Sequence, residues 1–259
     1  MTAELLTERR GAVLVLTLSD AATRNALSHQ VLSAGIEALN VADADPQLRC
    51  VVLRGDGSHF CSGGNLQGLQ ERRRAGPPAQ VAMLDHLNQF IEALRAFPKP
   101  VIAAVEGAAA GAGFSLALAC DLIVAAEDAR FILSYGRIGL SPDGGATWHL
   151  AQSLPRALVQ QWVWLGEPLS ARQLHDHGLV GWVPDSGHAF DEAMRLAERL
   201  CELAPNAVAS GKALVSEATG RSLGRQLEAE RDHFVQNLFD ANGAEGLAAF
   251  REKRAPKFG

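Results

Sequence analysis

Three stretches of the chain carry residue types able to manage charge on a bound molecule. Leu53-Arg-Gly-Asp-Gly-Ser-His-Phe-Cys-Ser-Gly-Gly-Asn-Leu66 and Val105-Glu-Gly-Ala-Ala-Ala-Gly-Ala-Gly-Phe-Ser-Leu116 each follow a β-rich run, and the second leads into a helical pattern. Glycine lets backbone approach a ligand closely and take conformations closed to other residues. A helix N-terminus adds unsatisfied N–H donors and a dipole that favours negative charge. Two such turns can aim two amides at one oxygen. The same glycines also suit turns that bind nothing, and spacing alone leaves both readings open. The third stretch, Gly139-Leu-Ser-Pro-Asp-Gly-Gly-Ala-Thr-Trp148, sets Asp143 between a stiff Pro142 and two glycines. That aspartate reads as a turn residue or helix N-cap, or as a placed acid/base group.

Other chemistries find less support. Gly111-x-Gly113 lacks the third glycine of a dinucleotide fingerprint, and no G-K-[ST] marks a P-loop. His175 and His177 precede Gly178 and read as last-turn or cap residues in preference to metal ligands, and His149 as a helix-face residue in preference to one near the third stretch's aspartate. No Ser-His-Asp arrangement is legible in the residue order. Cys50, Cys61, Cys120 and Cys201 are scattered without C-x-x-C spacing, which points to free, mostly buried thiols in a reducing cytosol and to no metal site.

The elements that must position these residues alternate. Ala12–Leu18, Cys50–Leu53 and Val101–Val105 read as buried strands, followed by strands at Leu122–Ala125 and Arg130–Leu133. Ser28 is placed to cap a helix carrying Val31, Leu32, Ile36 and Leu39 on one side. Leu84, Leu87, Ile91 and Leu94 step by three and four, as on one face of a helix that Pro98 and Pro100 end. After residue 140 the β signal fades, and helical patterns cover 144–164, 170–178, 188–203, 206–217, 222–239 and 243–253. The fold class this predicts is α/β with a C-terminal helical region, a core over 1–200 and helices over 201–259.

Composition excludes several functions. The 259 residues are 47% hydrophobic and 20% charged, with a net charge of −5. A pI of about 5.9 speaks against nucleic-acid binding. The longest basic run, Arg72-Arg73-Arg74, reads as a solvated face, with attraction for an anionic ligand as the alternative. The first thirteen residues lack the pattern of a signal peptide, and no run reaches the length of a membrane span. A cytoplasmic protein without membrane contact is expected.

Six segments, in order, resemble the enoyl-CoA hydratase/isomerase family, the crotonase superfamily. They are Arg24-Asn-Ala-Leu-Ser28, Phe60-Cys-Ser-Gly-Gly-Asn-Leu66, Pro100–Gly107 with Gly111-Ala-Gly113, Ala119-Cys-Asp121, Ile138-Gly-Leu140 and Glu245–Phe250. The resemblance implies a spiral of repeated β-β-α turns with C-terminal helices that trimerise, giving a homotrimer or a hexamer. It implies an acyl-CoA substrate, no tightly bound cofactor, and a thioester enolate held by the N–H groups of Gly64 and Ala112. The family usually has glycine at the second position; alanine serves because only its backbone is used. Ala22, Arg24 and Ala26, with Asn65 and Leu66, match positions along CoA. Phe250 and Lys253 match positions that reach CoA on a neighbouring subunit, and Phe234 a further aromatic there. For Phe234 and Phe250, ordinary helix-face core is the competing reading.

Hydratases of the family use two glutamates, and the matching positions here are Ser115 and Tyr135. Asp143 matches instead an aspartate that shuttles protons in some isomerases, and the surrounding string resembles the phenylacetate-pathway branch. A double-bond isomerase with one acid/base aspartate is therefore expected. A hydratase, a dehalogenase-like hydrolase and a non-catalytic acyl-CoA binder are the alternatives.

Overall fold

The structure is a computed structural model that describes residues 3–259. Its centre is a five-stranded sheet in the order β1 (Glu4–Arg10), β2 (Val13–Ser19), β3 (Cys50–Gly55), β4 (Val101–Val105) and β6 (Leu122–Ala125). Strands β2, β3, β4 and β6 run parallel, and β1 pairs antiparallel with β2 at the edge. Helices cover the sheet, so the inner strands are apolar on both faces; all five residues of β4 are buried. Strand β1 gives no apolar alternation to read. Its Glu4, Glu8, Arg9 and Arg10 are exposed, which keeps this open edge from pairing with another chain.

A second sheet of three short strands, β5 (Ala108–Ala110), β7 (Arg130–Ile132) and β8 (Leu169–Ser170), lies along the glycine-rich segments. The second glycine-rich stretch is thus more than a turn. Its three alanines pair with β7 before the chain enters α4 (Ala112–Ala119). Helix α4 is buried at every position, consistent with its lack of any polar face.

Helix α1 (His29–Ala44) starts where the sequence places it, with Ser28 accepting from Val31 N–H. It packs on α3 (Pro77–Ala96) through Gly35, where a methyl group would stand 2.5 Å from the Phe90 ring. Between them in the chain lies α2 (Leu66–Ala75), whose last turn holds Arg72, Arg73 and Arg74; Arg72 bonds to Gln80 at 2.7 Å. Cations suit a helix C-terminus, which accounts for the basic run without a ligand.

The span 144–164 is not one helix. A 3-10 turn covers Ser134–Ile138, and the chain then forms α5 (Ala146–Ser153) and α6 (Arg156–Leu165), parted at Pro155 because proline cannot continue a helical ladder. Strand β7 also ends one residue earlier than the pattern predicts, at Ile132. Helix α7 (Ala171–Asp176) follows, with His175 Nδ1 beside Val180 O at 2.9 Å and His177 edge-on to Trp162. Helix α8 (Ala189–Cys201) lies on β3 and β4 through Ala189, Ala193, Leu196 and Ala197. The Glu106 carboxylate accepts from Gly187 and Ala189 N–H at 3.1 and 2.7 Å and so ties the end of β4 to the start of α8. Helices α9 (Pro205–Ala218), α10 (Leu223–Leu238) and α11 (Ala241–Glu252) follow and bury almost nothing within the chain. Among the described residues no helix is long and apolar enough to cross a membrane.

Candidate active site

The two glycine-rich segments run side by side. Phe60 N–H donates to Glu106 O, Cys61 N–H to Ala108 O, and Ala110 N–H back to Cys61 O, at 2.8, 3.0 and 2.9 Å. This short parallel ladder carries both chains to one point. There Gly63 sits so tightly that a methyl group on it would be 2.5 Å from Ala110 O and 3.1 Å from Ala112 N. Gly113 makes the second close approach, since a methyl group there would lie 2.8 Å from Cys61 Cβ. Glycine is required at both positions for the segments to meet.

The amides of Gly64 and Ala112 emerge just past this ladder. Ala112 is the first residue of α4, and Gly111 before it offers no side-chain cap. Among the described residues neither the Gly64 nor the Ala112 N–H has a hydrogen-bond acceptor. Two neighbouring N–H groups without acceptors, one at a helix N-terminus, form a preorganised site for an oxygen gaining negative charge.

The segment expected to lie along CoA is fastened to the same turn. Ser62 N–H donates to Arg24 O at 3.0 Å, Ser62 Oγ–H to Thr23 O at 2.6 Å, and Leu27 N–H to Gly63 O at 2.8 Å. The buried Asn25 side chain donates to Asp56 O and His59 O at 2.9 and 2.8 Å. Arg24 and Asn25 both have positive φ, in the turn that residues 21–25 make beside this segment. Ala22 and Arg24 are exposed, and Ala26 is buried with its N–H on Thr23 Oγ1. Asn65 caps α2 through its side chain, which accepts from Gly68 N–H, and Leu66 points outward.

Asp143 completes the arrangement. It is not the N-cap of α5, a place Gly145 takes. Its carboxylate Oδ1 accepts from the Tyr135 hydroxyl at 2.6 Å, and its backbone carbonyl accepts from Ser115 Oγ–H at 2.8 Å. Gly111 adjoins the same hydroxyl, since a methyl group there would lie 3.3 Å from Tyr135 Oη. Gly144 in turn lies against Ser115 and Leu87. The aspartate, the Ala112 amide and an apolar wall from α3 therefore share one small volume. Burial pushes the Asp143 carboxyl above its usual range, and the Tyr135 hydrogen bond partly offsets that. Burial and the adjacent carboxylate push the Tyr135 phenol well above its ordinary value. Nearby on α5, His149 is buried and edge-on to Trp148; burial, with a smaller effect of Arg95, lowers it to about 4, so it is neutral.

Residue types alone did not mark Ser115 and Tyr135 as partners of the aspartate. The available signal was that both occupy positions where the family's hydratases carry acids. Phe250 and Lys253 are not brought to the site within one chain. Both are exposed at the end of α11, which packs on α10. The helix-core reading of Phe234 and Phe250 is overturned, because both stand out in solvent, Phe250 at 85% exposure. Cys50, Cys61 and Cys120 are free and buried, and burial raises each thiol, Cys61 to about 12.

A parallel sheet wound with helices, two acceptor-free amides and one half-buried carboxylate together define the class. A family profile described as enoyl-CoA hydratase/isomerase matches residues 8–259, and the chain belongs to that crotonase family of acyl-CoA enzymes. It is 34% identical over 258 residues to 1,2-epoxyphenylacetyl-CoA isomerase of Escherichia coli, covering 98% of this chain and 97% of that one. It is also 34% identical over 255 residues to the 2,3-dehydroadipyl-CoA hydratase of the same organism, at 98% of each chain. Among solved structures, an enoyl-CoA hydratase from Polaromonas sp. JS666 superimposes with a TM-score of 0.97 at 53% identity, over 99% of this chain and 100% of that one. The fold is the crotonase fold.

Proposed function

We propose that the protein is an acyl-CoA isomerase that moves a carbon–carbon double bond by a 1,3-proton shift. Residues 22–26 with Asn65 and Leu66 lie along CoA, and the thioester oxygen sits between the amides of Gly64 and Ala112. Asp143 takes a proton from the carbon next to the thioester, the electron pair moves onto the thioester oxygen, and the same carboxyl returns the proton two carbons further on. Two N–H donors matched to that oxygen supply the main stabilisation, of about 3 kcal/mol for a single donor. The raised Asp143 carboxyl suits a group that must act first as base and then as acid.

One observation carries this reading. The positions that hold glutamates in hydratases hold hydroxyls here, and both hydroxyls are spent on Asp143. Water addition normally needs a second group to seat the water, and a single carboxylate suffices for a proton shift. Isomerisation of trans-3-hexenoyl-CoA is the direct test. Asp143→Asn should abolish it while CoA binding stays within a factor of about two; retained turnover would sink the assignment.

A hydratase is the second reading, favoured by the description of the structure with 53% identity as an enoyl-CoA hydratase. Fast loss of crotonyl-CoA absorbance with the wild-type protein would select it. The exposed aromatics of the C-terminal helices support assembly as a homotrimer or a dimer of trimers, with Phe250 and Lys253 reaching CoA on a neighbouring subunit. The free buried thiols support a reducing, cytoplasmic setting.

A further inference from the structure

We propose that Tyr135 is the positioning residue of the acid/base group: its hydroxyl occupies Asp143 Oδ1, fixes the carboxylate, and leaves Oδ2 as the oxygen that exchanges a proton with substrate. This rests on Asp143 as the acid/base and adds the reason one carboxylate can serve both steps.

The geometry supports it from three sides. The Tyr135 hydroxyl donates to Oδ1 at 2.6 Å, and among the described residues no other side chain donates to the carboxylate. The backbone of Asp143 is held independently by Ser115, at 2.8 Å through the carbonyl, so main chain and side chain are each fixed by a different element. The ring of Tyr135 is itself buried, in a 3-10 turn that follows β7, and its hydroxyl lies against Gly111, the residue before the Ala112 amide. Carboxylate and amide donor are thus set relative to each other by one rigid side chain. A hydrogen bond to the charged form favours the carboxylate, and burial opposes it. Tyr135 therefore favours the basic form of Asp143 that the start of the cycle needs. In the reaction the C–H bond breaks to Oδ2 and its electron pair passes to the thioester oxygen. The O–H bond at Oδ2 then breaks as the proton is delivered to the far carbon. The tyrosine proton stays on Tyr135 throughout, because its phenol is shifted far above neutrality.

The chain contains a single tyrosine, which makes a clean test possible. Protein grown with [13Cζ]tyrosine gives one ring-carbon resonance, and its shift is followed against pH in wild type and in Asp143→Asn. The pairing requires an acidic-range inflection in wild type that the Asn variant lacks. Matching flat curves in the two proteins would overturn the proposal. In parallel, Tyr135→Phe is assayed on trans-3-hexenoyl-CoA across pH. The acid limb of kcat/KM should move to higher pH, kcat should fall about tenfold, and KM should change little. A variant of intact fold and CoA affinity with an unmoved acid limb also overturns it. The isomerase reading fails separately: wild type showing the resonance inflection without isomerising the probe keeps the Tyr135–Asp143 pair and removes the reaction assigned to it.

Discussion

A carboxylate raised by burial is useful in catalysis and costly to the fold. Asp143 has a folded-state value above the 3.8 of an unperturbed aspartate, because burial penalises its charged form. The linkage sign follows: its contribution to stability is fully present below the unfolded value and is lost as pH rises through the folded one. Asp143→Asn should therefore melt higher than wild type near pH 7, with the gap closing toward pH ~4. Melting curves at both pH values check this, and an Asn variant less stable at pH 7 contradicts it. His149 has the opposite dependence. Buried and lowered from 6.5 to about 4, it favours the neutral form, so its contribution is present above the unfolded value and is lost as pH falls from about 6.5 to about 4. The loss is at most about 3 kcal/mol. His149→Gln should flatten urea-derived stability across that window, and an unchanged slope would show that the imidazole is not held neutral. Asp143 was legible in the sequence because proline and glycines frame it, whereas the inward side of His149 was not. A histidine one residue after Trp148 gives no hint of which helix face α4 and α6 will cover.

At the scale of elements, the decisive feature is the ladder that brings two glycine-rich segments to one point. The sequence shows two strand-to-turn segments and a small-residue helix. It does not show that Ala108–Ala110 is itself a strand, because three alanines have no periodicity and weak β propensity. Pairing with β7 and with the Cys61 backbone, not local preference, makes them extended. The single-helix reading of 144–164 failed for a related reason: apolar spacing runs on across Pro155 although the backbone ladder cannot. Helix α1 was legible because cap and period agreed, and α3 because its period ran up to Pro98 and Pro100. Glycine at the crossing is therefore a packing requirement, and alanine at Ala112 is a tolerated exchange. Gly113→Ala should separate the two amides by forcing Cys61 away, lowering kcat about 100-fold while circular dichroism stays close to wild type. Ala112→Gly should leave kcat within about twofold, because the proposed role uses only its N–H. Equal effects of the two changes would mean that side-chain space at this crossing does not set the donors.

For the whole molecule, the C-terminal helices pose an unsolved burial problem within one chain. Helices α9 and α10 have no buried residue, and α11 has only Ala249. Val215, Leu223, Leu227, Phe234, Phe239 and Phe250 all stand in solvent, Phe239 at 84% exposure. Isolated exposed apolar residues are ordinary, but this many on consecutive helices calls for a covering surface. A second exposed group, Ile138 and Leu140 with Trp164 and Leu165, flanks the segment that carries Tyr135 and Asp143. If copies of the chain cover both, assembly also holds the segment of Tyr135 and Asp143 in place. Wild type should then sediment at three or six times the chain mass of 27.5 kDa. Phe239→Asp with Leu227→Asp should yield monomers that keep the core fold, since neither side chain is buried in the chain. On the proposed assembly, in which Phe250 and Lys253 reach a neighbour's CoA, such monomers should bind CoA more weakly and should also lose kcat through the loosened Tyr135–Asp143 segment. Sedimentation velocity reads the first effect, and CoA titration with isomerase assay separates the other two. A wild-type protein that sediments as a monomer at full activity would show that the apolar helices serve some other surface.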